Sequence, residues 1–220
     1  MELRWFGQSA FLLTGKRRVF IDPFGAIDGP RWNYPPISGI DADLLLITHE
    51  HVDHNAEESI GGSPVVIRSK AGTFESPVGE VLGIASEHDD TAGTRRGANA
   101  IYRFTLDGLR ICHLGDLGQP ALRPEQIHAI GEIDVLFVPV GGGPTADGAT
   151  AARVVQSLRP RLAIPMHYRT PAIGFLDPPD AFLAALPSDV HRLTADRTTL
   201  GDHLGSPDRP GVVVLDPPTS

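Results

Sequence analysis

The stretch Thr48-His49-Glu50-His51-Val52-Asp53-His54 closes the apolar run Asp43-Leu44-Leu45-Leu46-Ile47, and its reading decides the fold. The run is short, apolar and bounded by an acid, which predicts a buried strand over Asp43–Thr48. Loops at strand ends are where a rigid scaffold presents functional side chains, and residues two apart in extended chain project to the same side. His49 and His51 can therefore chelate one ion, while Asp53 and His54, carried round as the chain bends, face a neighbouring position. A polar loop of solvated histidines is the plain alternative. Three His and one Asp at this spacing arise by chance in roughly one such chain in a thousand, which weighs heavily against it.

Four ligands within six residues cannot complete two metal spheres, so further His or Asp should stand at other strand ends. His88 follows the predicted strand Val81–Ala85, Asp116 follows Arg110–Leu114, and His167 comes two residues after Ile164-Pro165. Each has another reading: His88 as part of a surface turn, Asp116 as a helix N-cap, His167 as a satisfied core histidine. As a set they fill the vacancies, and three separate accidents are the poorer account. Cys112 is the only cysteine. That excludes an internal disulfide, a thiolate zinc ribbon and an iron–sulfur cluster, so any metal rests on His, Asp or Glu.

Outside the motif the chain reads as an ordinary globular protein. Its 220 residues suffice for one core with its own cleft, and 19 Lys plus Arg against 27 Asp plus Glu give a formal charge of −8. The densest basic stretch is Lys16-Arg17-Arg18, which argues against nucleic acid as a partner. No basic-then-apolar pattern opens the chain, and no apolar run approaches the roughly 18 residues of a membrane span. A cytoplasmic protein with no membrane partner is expected, its homo-oligomeric state left open.

Gly (24) and Pro (20) are scattered, predicting many short elements punctuated by turns. Further strands are expected at Ala10–Thr14, Arg18–Asp22, Val65–Arg68, Ala100–Leu106, Asp134–Val140 and Arg161–Pro165, and helices at 145–160, Pro124–Ile130 and Pro179–Leu186. The two halves rhyme. Each runs strand, turn, strand ending in an acid (Asp22, Asp116), then a buried strand opened by an Asp (Asp43, Asp134). Two such halves would pack sheet on sheet with helices outside, an α+β protein built as a four-layer αββα sandwich. The expected organisation is a single domain over 1–204 and a loose C-terminal tail over 205–220.

An early Asp, the HxHxDH motif, a lone His, an Asp and a final His, here Asp22, His49 to His54, His88, Asp116 and His167, resemble the metallo-β-lactamase superfamily. The resemblance spreads over most of the chain. It implies the metallo-β-lactamase fold, with His49, His51 and His88 on a first metal and Asp53, His54 and His167 on a second. Asp116 would bridge the two, and Asp22 would support the motif loop without touching metal. Glu87-His88-Asp89, Arg96 to Tyr102, His113 to Gly118, Pro139 to Gly142 and Ile164 to Tyr168 look like the compact branch related to L-ascorbate-6-phosphate lactonase and the N-acylphosphatidylethanolamine phospholipase D type. Gly7-Gln8-Ser9 departs from the Gly-His of many relatives, which bears on which substrate fits.

Two divalent ions so held give a bridging hydroxide near neutral pH and polarise the bond under attack. The implied activity is hydrolysis of an ester, lactone or phosphodiester of a small molecule, an anionic group being one option. Imidazole ligands favour zinc, with manganese or iron as alternatives. Asp53 is expected to orient the hydroxide as well as bind metal. His113 is assigned either packing or protonation of the leaving group, and Tyr168 either donation to a developing oxyanion or packing. Arg95, Arg96 and Arg169 are candidates to hold a substrate anion, Gly141-Gly142-Gly143 to let backbone approach the site, and Phe24, Trp32 and Tyr34 to wall it. The competing readings are a non-catalytic metal-binding scaffold, which predicts missing ligands, and a nuclease, which the acidity disfavours. A di-iron oxidoreductase is a third, and His51 and the short chain count against it.

Overall fold

The computed structural model describes residues 1–29 and 31–218. Two mixed sheets face each other. The first has six strands in the order Arg197–Thr199, Glu2–Gly7, Ala10–Thr14, Arg18–Ile21, Leu44–Ile47 and Val65–Arg68. The second has eight, in the order Asp189–Arg192, Gly211–Val214, Leu162–Met166, Val135–Pro139, Leu109–His113, Ala98–Leu106, Gly79–Glu87 and Gly72–Ser76.

The two-residue period of a strand explains the layering. In the first sheet Leu3, Trp5, Phe11, Leu13, Val19, Ile21, Leu44 and Leu46 point into the core shared with the second sheet. Their neighbours Phe6, Ala10, Leu12, Phe20, Leu45 and Ile47 belong to a separate apolar cluster on the other face. A sheet covered on both faces needs apolar residues at every position, and Leu44-Leu45-Leu46-Ile47 supplies them. The two halves also share a pairing pattern. In each, an antiparallel hairpin (10–14 with 18–21; 98–106 with 109–113) is followed by two parallel strands (44–47 and 65–68; 135–139 and 162–166).

The chain has the α+β sheet-on-sheet sandwich of the metallo-β-lactamase fold, with loop in place of helix in one of the two outer layers of the expected αββα arrangement. Among the described residues all three α-helices come from the second half: Pro124–Ile130, Gly148–Leu158 and Asp180–Ala185. Asp147 caps the second, accepting from the Thr150 amide at 2.7 Å, and Pro124 opens the first, where its missing N–H costs nothing. Over the first sheet the described residues place no α-helix. Phe24, Tyr34 and Ile37 pack there with Ile173 and Leu176. Trp32 stands edge-on to Phe24 at 4.8 Å between ring centroids and to Tyr34 at 5.4 Å. Aromatic rings bury enough area each for a loop to cover what would otherwise need a helix.

The expected tail at 205–220 needs correction. Gly211–Val214 is a buried parallel strand lying between Leu162–Met166 and Asp189–Arg192. The Gly and Pro residues around Val212-Val213-Val214 disguised a β-branched run that packs inside the sheet; residues 219 and 220 lie outside the described residues. The inner strand Glu2–Gly7 and the edge strands Gly72–Ser76, Asp189–Arg192 and Arg197–Thr199 are likewise absent from the expected set. No described helix is long and apolar enough to cross a membrane.

Candidate metal centre

The anticipated ligands sit just beyond strand ends: His49 to His54 after Leu44–Ile47, His88 after Gly79–Glu87, Asp116 after Leu109–His113 and His167 after Leu162–Met166. They meet in two groups. The ligand atoms of His49, His51 and His88 lie within 4.8 Å of one another, and so do those of Asp53, His54 and His167. Asp116 stands between them, its Oδ2 3.2 Å from His88 Nε2, 3.3 Å from His54 Nε2 and 3.2 Å from His167 Nε2. All seven are buried except His51 and Asp53, which are half-open to a cleft of about 410 Å³.

Hydrogen bonds behind the ring settle which nitrogen three of the five histidines present. Asp22 is fully buried and accepts from the Thr48 amide and the Thr48 hydroxyl, both at 2.7 Å, and from His54 Nδ1 at 3.1 Å. Since the Thr48 hydroxyl donates to Asp22, it accepts from His49 Nδ1, 3.0 Å away. His88 Nδ1 donates to the Pro144 carbonyl at 3.0 Å. In all three, Nδ1 carries the proton and Nε2 turns its lone pair inward, the tautomer a metal ligand needs. His51 Nδ1 lies 3.1 Å from His49 Nε2, and His54 Nε2 is buried with no hydrogen-bond partner. Lone pairs converging in this way call for a cation between them, so the residues fit the metal they resemble a site for.

The electrostatics agree for His49, His51, Asp53 and Asp116. Burial pushes His49 down to about 2, neighbouring imidazoles adding to it and Asp116 opposing. Burial likewise lowers His51. For Asp116, burial would raise the carboxyl, but His167 and His54 outweigh it and hold it well below the usual carboxylate range. Asp53 is lowered too, burial again losing to His54. Neutral His49 and His51 and ionised Asp53 and Asp116 are in the protonation states that bind metal. His54 is the exception: burial would lower it, but the Asp116 and Asp53 carboxylates overcome this and raise it well above the usual imidazole range, so a cation there must displace a proton.

Supports that the sequence did not single out complete the centre. The Ser9 hydroxyl donates to Asp116 Oδ1 at 3.2 Å, leaving Oδ2 for the histidines, and Asn99 Oδ1 accepts from the Asp116 amide at 3.0 Å. A polar Asn entering an otherwise apolar strand was the available signal for Asn99; Ser9 carried none. Asp22 (φ 50°), His167 (φ 52°) and Gln8 (φ 48°) adopt left-handed backbone, a local strain clustered at the centre. Gly141 has the expected role of close approach: a Cβ there would collide with the His167 carbonyl. Gln8 borders the cleft, its Nε2 3.5 Å from Asp53 Oδ2. The Asp89 carboxylate gathers the amides of Thr91, Gly93, Arg95 and Arg96, shaping the loop that brings Arg96 to the cleft.

For His113 and Tyr168 the contacts fit the packing alternative and not the catalytic one. His113 is fully buried, with Nε2 donating to the Ser9 carbonyl and Nδ1 accepting from the Gly115 amide, both at 3.1 Å. Burial pushes its pKa down, and both nitrogens are spent, so it cannot protonate a leaving group. The Tyr168 hydroxyl donates to the Leu215 carbonyl at 3.1 Å while its ring packs on Trp5, and burial pushes the phenol up. Adjacency to His167 does not aim it at the centre, because Trp5 holds the ring and the Leu215 carbonyl holds the hydroxyl. Tyr168→Phe is expected to leave kcat/KM within about threefold while costing about 1 kcal/mol in urea unfolding; a hundredfold loss of activity would return the hydroxyl to the chemistry. Arg169 donates to the Leu176 carbonyl and does not line the cleft, Arg95 lines only a neighbouring polar cavity, and Phe24 is wholly buried beneath the loop.

A sandwich of two mixed sheets with this His/Asp cluster at its rim defines a metal-dependent hydrolase of the metallo-β-lactamase class. A family model described as a beta-lactamase superfamily domain matches residues 2–167. A UPF0173 metal-dependent hydrolase of Thermococcus kodakarensis is 31% identical, covering 90% of this chain and 93% of its own length. Another, from Methanoregula boonei, is 32% identical over 77% and 83%. The solved structure of a candidate Zn-dependent hydrolase of the metallo-beta-lactamase superfamily from Thermotoga maritima is 32% identical, with a TM-score of 0.78 over 99% of both chains. The chain belongs to the metallo-β-lactamase superfamily, within its UPF0173 group of metal-dependent hydrolases.

Proposed function

We propose that the protein is a binuclear hydrolase, with zinc the favoured metal, that cleaves an ester, lactone or phosphodiester of a small molecule. The observation that carries this reading is the place of Asp116 Oδ2, within 3.3 Å of imidazole nitrogens from both ligand groups. One carboxylate oxygen shared in this way suits two cations, His49, His51 and His88 holding one and Asp53, His54 and His167 the other. Two such cations would supply an activated water and polarise the bond under attack. Five imidazoles favour zinc over harder ions, with manganese and iron as competitors.

The chain's own residues then have separate duties. Asp53, with a quarter of its side chain exposed, is the centre's carboxylate most open to the cleft. Its Oδ2 is placed to accept a hydrogen bond from the attacking water and so fix its direction. Gln8 Nε2, on the same oxygen, limits how far that carboxylate swings. Arg96 reaches the cleft, and among the described residues its guanidinium has no ion-pair partner, which suits an anionic group on the substrate.

The test is metal analysis of the purified protein followed by an ester, lactone and phosphodiester panel, with and without chelator. The expected result is about two metals per chain and hydrolysis that chelation abolishes and added metal restores. Asp53→Asn should lower kcat by about a hundredfold. Less than one metal per chain with no chelator-sensitive hydrolysis would instead favour the non-catalytic scaffold.

A further inference from the structure

The cleft does not end at the metal ligands. Past Asp53 it opens into a second cavity of about 390 Å³, and Gln8, Asp53 and Phe175 line both. The side chains that give the outer cavity its character are Ile27, Trp32, Val52 and Phe175. Val52 and Phe175 are 69% and 54% exposed, two of the four large apolar side chains that the described surface leaves open. Scattered exposed apolar residues are unremarkable; two converging on a reaction centre are not.

The groove is also firmly built. Trp32 is held edge-on by Phe24 and Tyr34, and the Tyr34 hydroxyl is hydrogen-bonded to Thr170 Oγ1 at 2.7 Å. Val52 stands between His51 and Asp53 in the motif, so its distance from the reacting atoms is set by the ligands on either side. Toward His88 the cleft has the opposite character: Arg96, Gly143 and Pro144 lead into a polar cavity of about 690 Å³ that also takes in Asp90 and Arg95. A substrate lying across the centre thus meets apolar walls on the Asp53 side and polar ones on the His88 side.

We propose that the substrate is amphiphilic, with an alkyl or aryl group seated against Trp32, Val52 and Phe175 and the bond to be cleaved lying over Asp53. This deepens the hydrolase reading above and rests on it for the identity of the cleaved bond. The groove lets binding energy from a remote, non-reacting group position the reacting one, which is how an enzyme with an open, polar centre selects its substrate.

The experiment has two arms on the metal-loaded protein. In the first, 4-nitrophenyl alkanoates from acetate to octanoate are hydrolysed by wild type, Phe175→Ser and Trp32→Ala. Each added methylene should raise the wild-type kcat/KM about two- to threefold, less than full burial would give because the groove is half-open. The octanoate-to-acetate ratio should fall at least tenfold in either variant. In the second, Trp32 emission is followed as octanoate or acetate is added without turnover; octanoate should shift it, acetate should not, and Trp32→Phe should lose the response. Hydrolysis with no dependence on chain length, or a ratio unchanged in both variants, overturns the groove and leaves the hydrolase standing. A shift of Trp32 emission by octanoate in a protein that hydrolyses no ester, lactone or phosphodiester supports the groove and overturns the hydrolase.

Discussion

Asp116→Asn is expected to lower kcat/KM by about a thousandfold and to cut the metal content of the purified protein from about two ions per chain to one or fewer. The substitution keeps the shape, and the Ser9 hydroxyl can still donate to Oδ1. What changes is Oδ2, the atom on which His54, His88 and His167 converge. An amide there brings N–H groups toward nitrogens that should be facing cations, and the centre loses one of the two carboxylates among its ligands. Breaking a buried charge arrangement from one side costs about 3–5 kcal/mol, and about 4 kcal/mol is a factor of a thousand in rate. Elemental analysis and kcat/KM on the same preparation check both halves. Two ions per chain with activity within tenfold of wild type would remove Asp116 from the shared position.

The second large effect falls on a residue that touches no substrate. Asp22→Ala leaves the Thr48 amide, the Thr48 hydroxyl and His54 Nδ1 buried without their acceptor. An orphaned buried donor costs about 1–3 kcal/mol, and with partial relaxation the three together should cost about 3–4 kcal/mol. For a chain of this size that lowers the melting temperature by about 6–16 °C. Metal affinity should fall about ten- to a hundredfold as His54 and, through Thr48, His49 lose their orientation. Asp22→Asn separates the causes. Asn tolerates the left-handed backbone at this position and can keep the Thr48 amide bond, but it turns an N–H toward His54. It should be less destabilising than Ala and equally poor at holding metal. Melting curves with and without chelator read the two effects apart; variants that melt within 2 °C of wild type at full metal content would refute the assignment.

These residues mark what the chain discloses before it is folded. His49, His51, Asp53, His54, His88, Asp116 and His167 were legible because metal chemistry accepts few side chains and because strand ends are where such side chains are carried. Asp22 was legible only through resemblance, since an acid at a strand end has many uses. His113 and Tyr168 were left between packing and catalysis for one reason: nearness in sequence to a ligand says nothing about direction, and the partners that claim them, the Ser9 and Leu215 carbonyls, arrive from distant parts of the chain. Ser9 was invisible on the same ground, its bond to Asp116 spanning 107 positions. The loop that replaces an outer helix, and the strand at Gly211–Val214, were hidden because Gly and Pro describe local backbone freedom and not what a segment meets once it packs.

That last strand has a consequence for how the protein comes into being. Gly211–Val214 lies inside one sheet, and Arg197–Thr199 borders the first strand of the other. A nascent chain can pair its early hairpins as they leave the ribosome, yet neither sheet is complete until these late segments have emerged to join it. The histidine motif is thus translated long before its scaffold can close, and a cation arriving early meets His49 and His51 without the strand that carries His167. A gene cut between the two halves would leave the N-terminal fragment without the edge strand Arg197–Thr199, which the other half supplies.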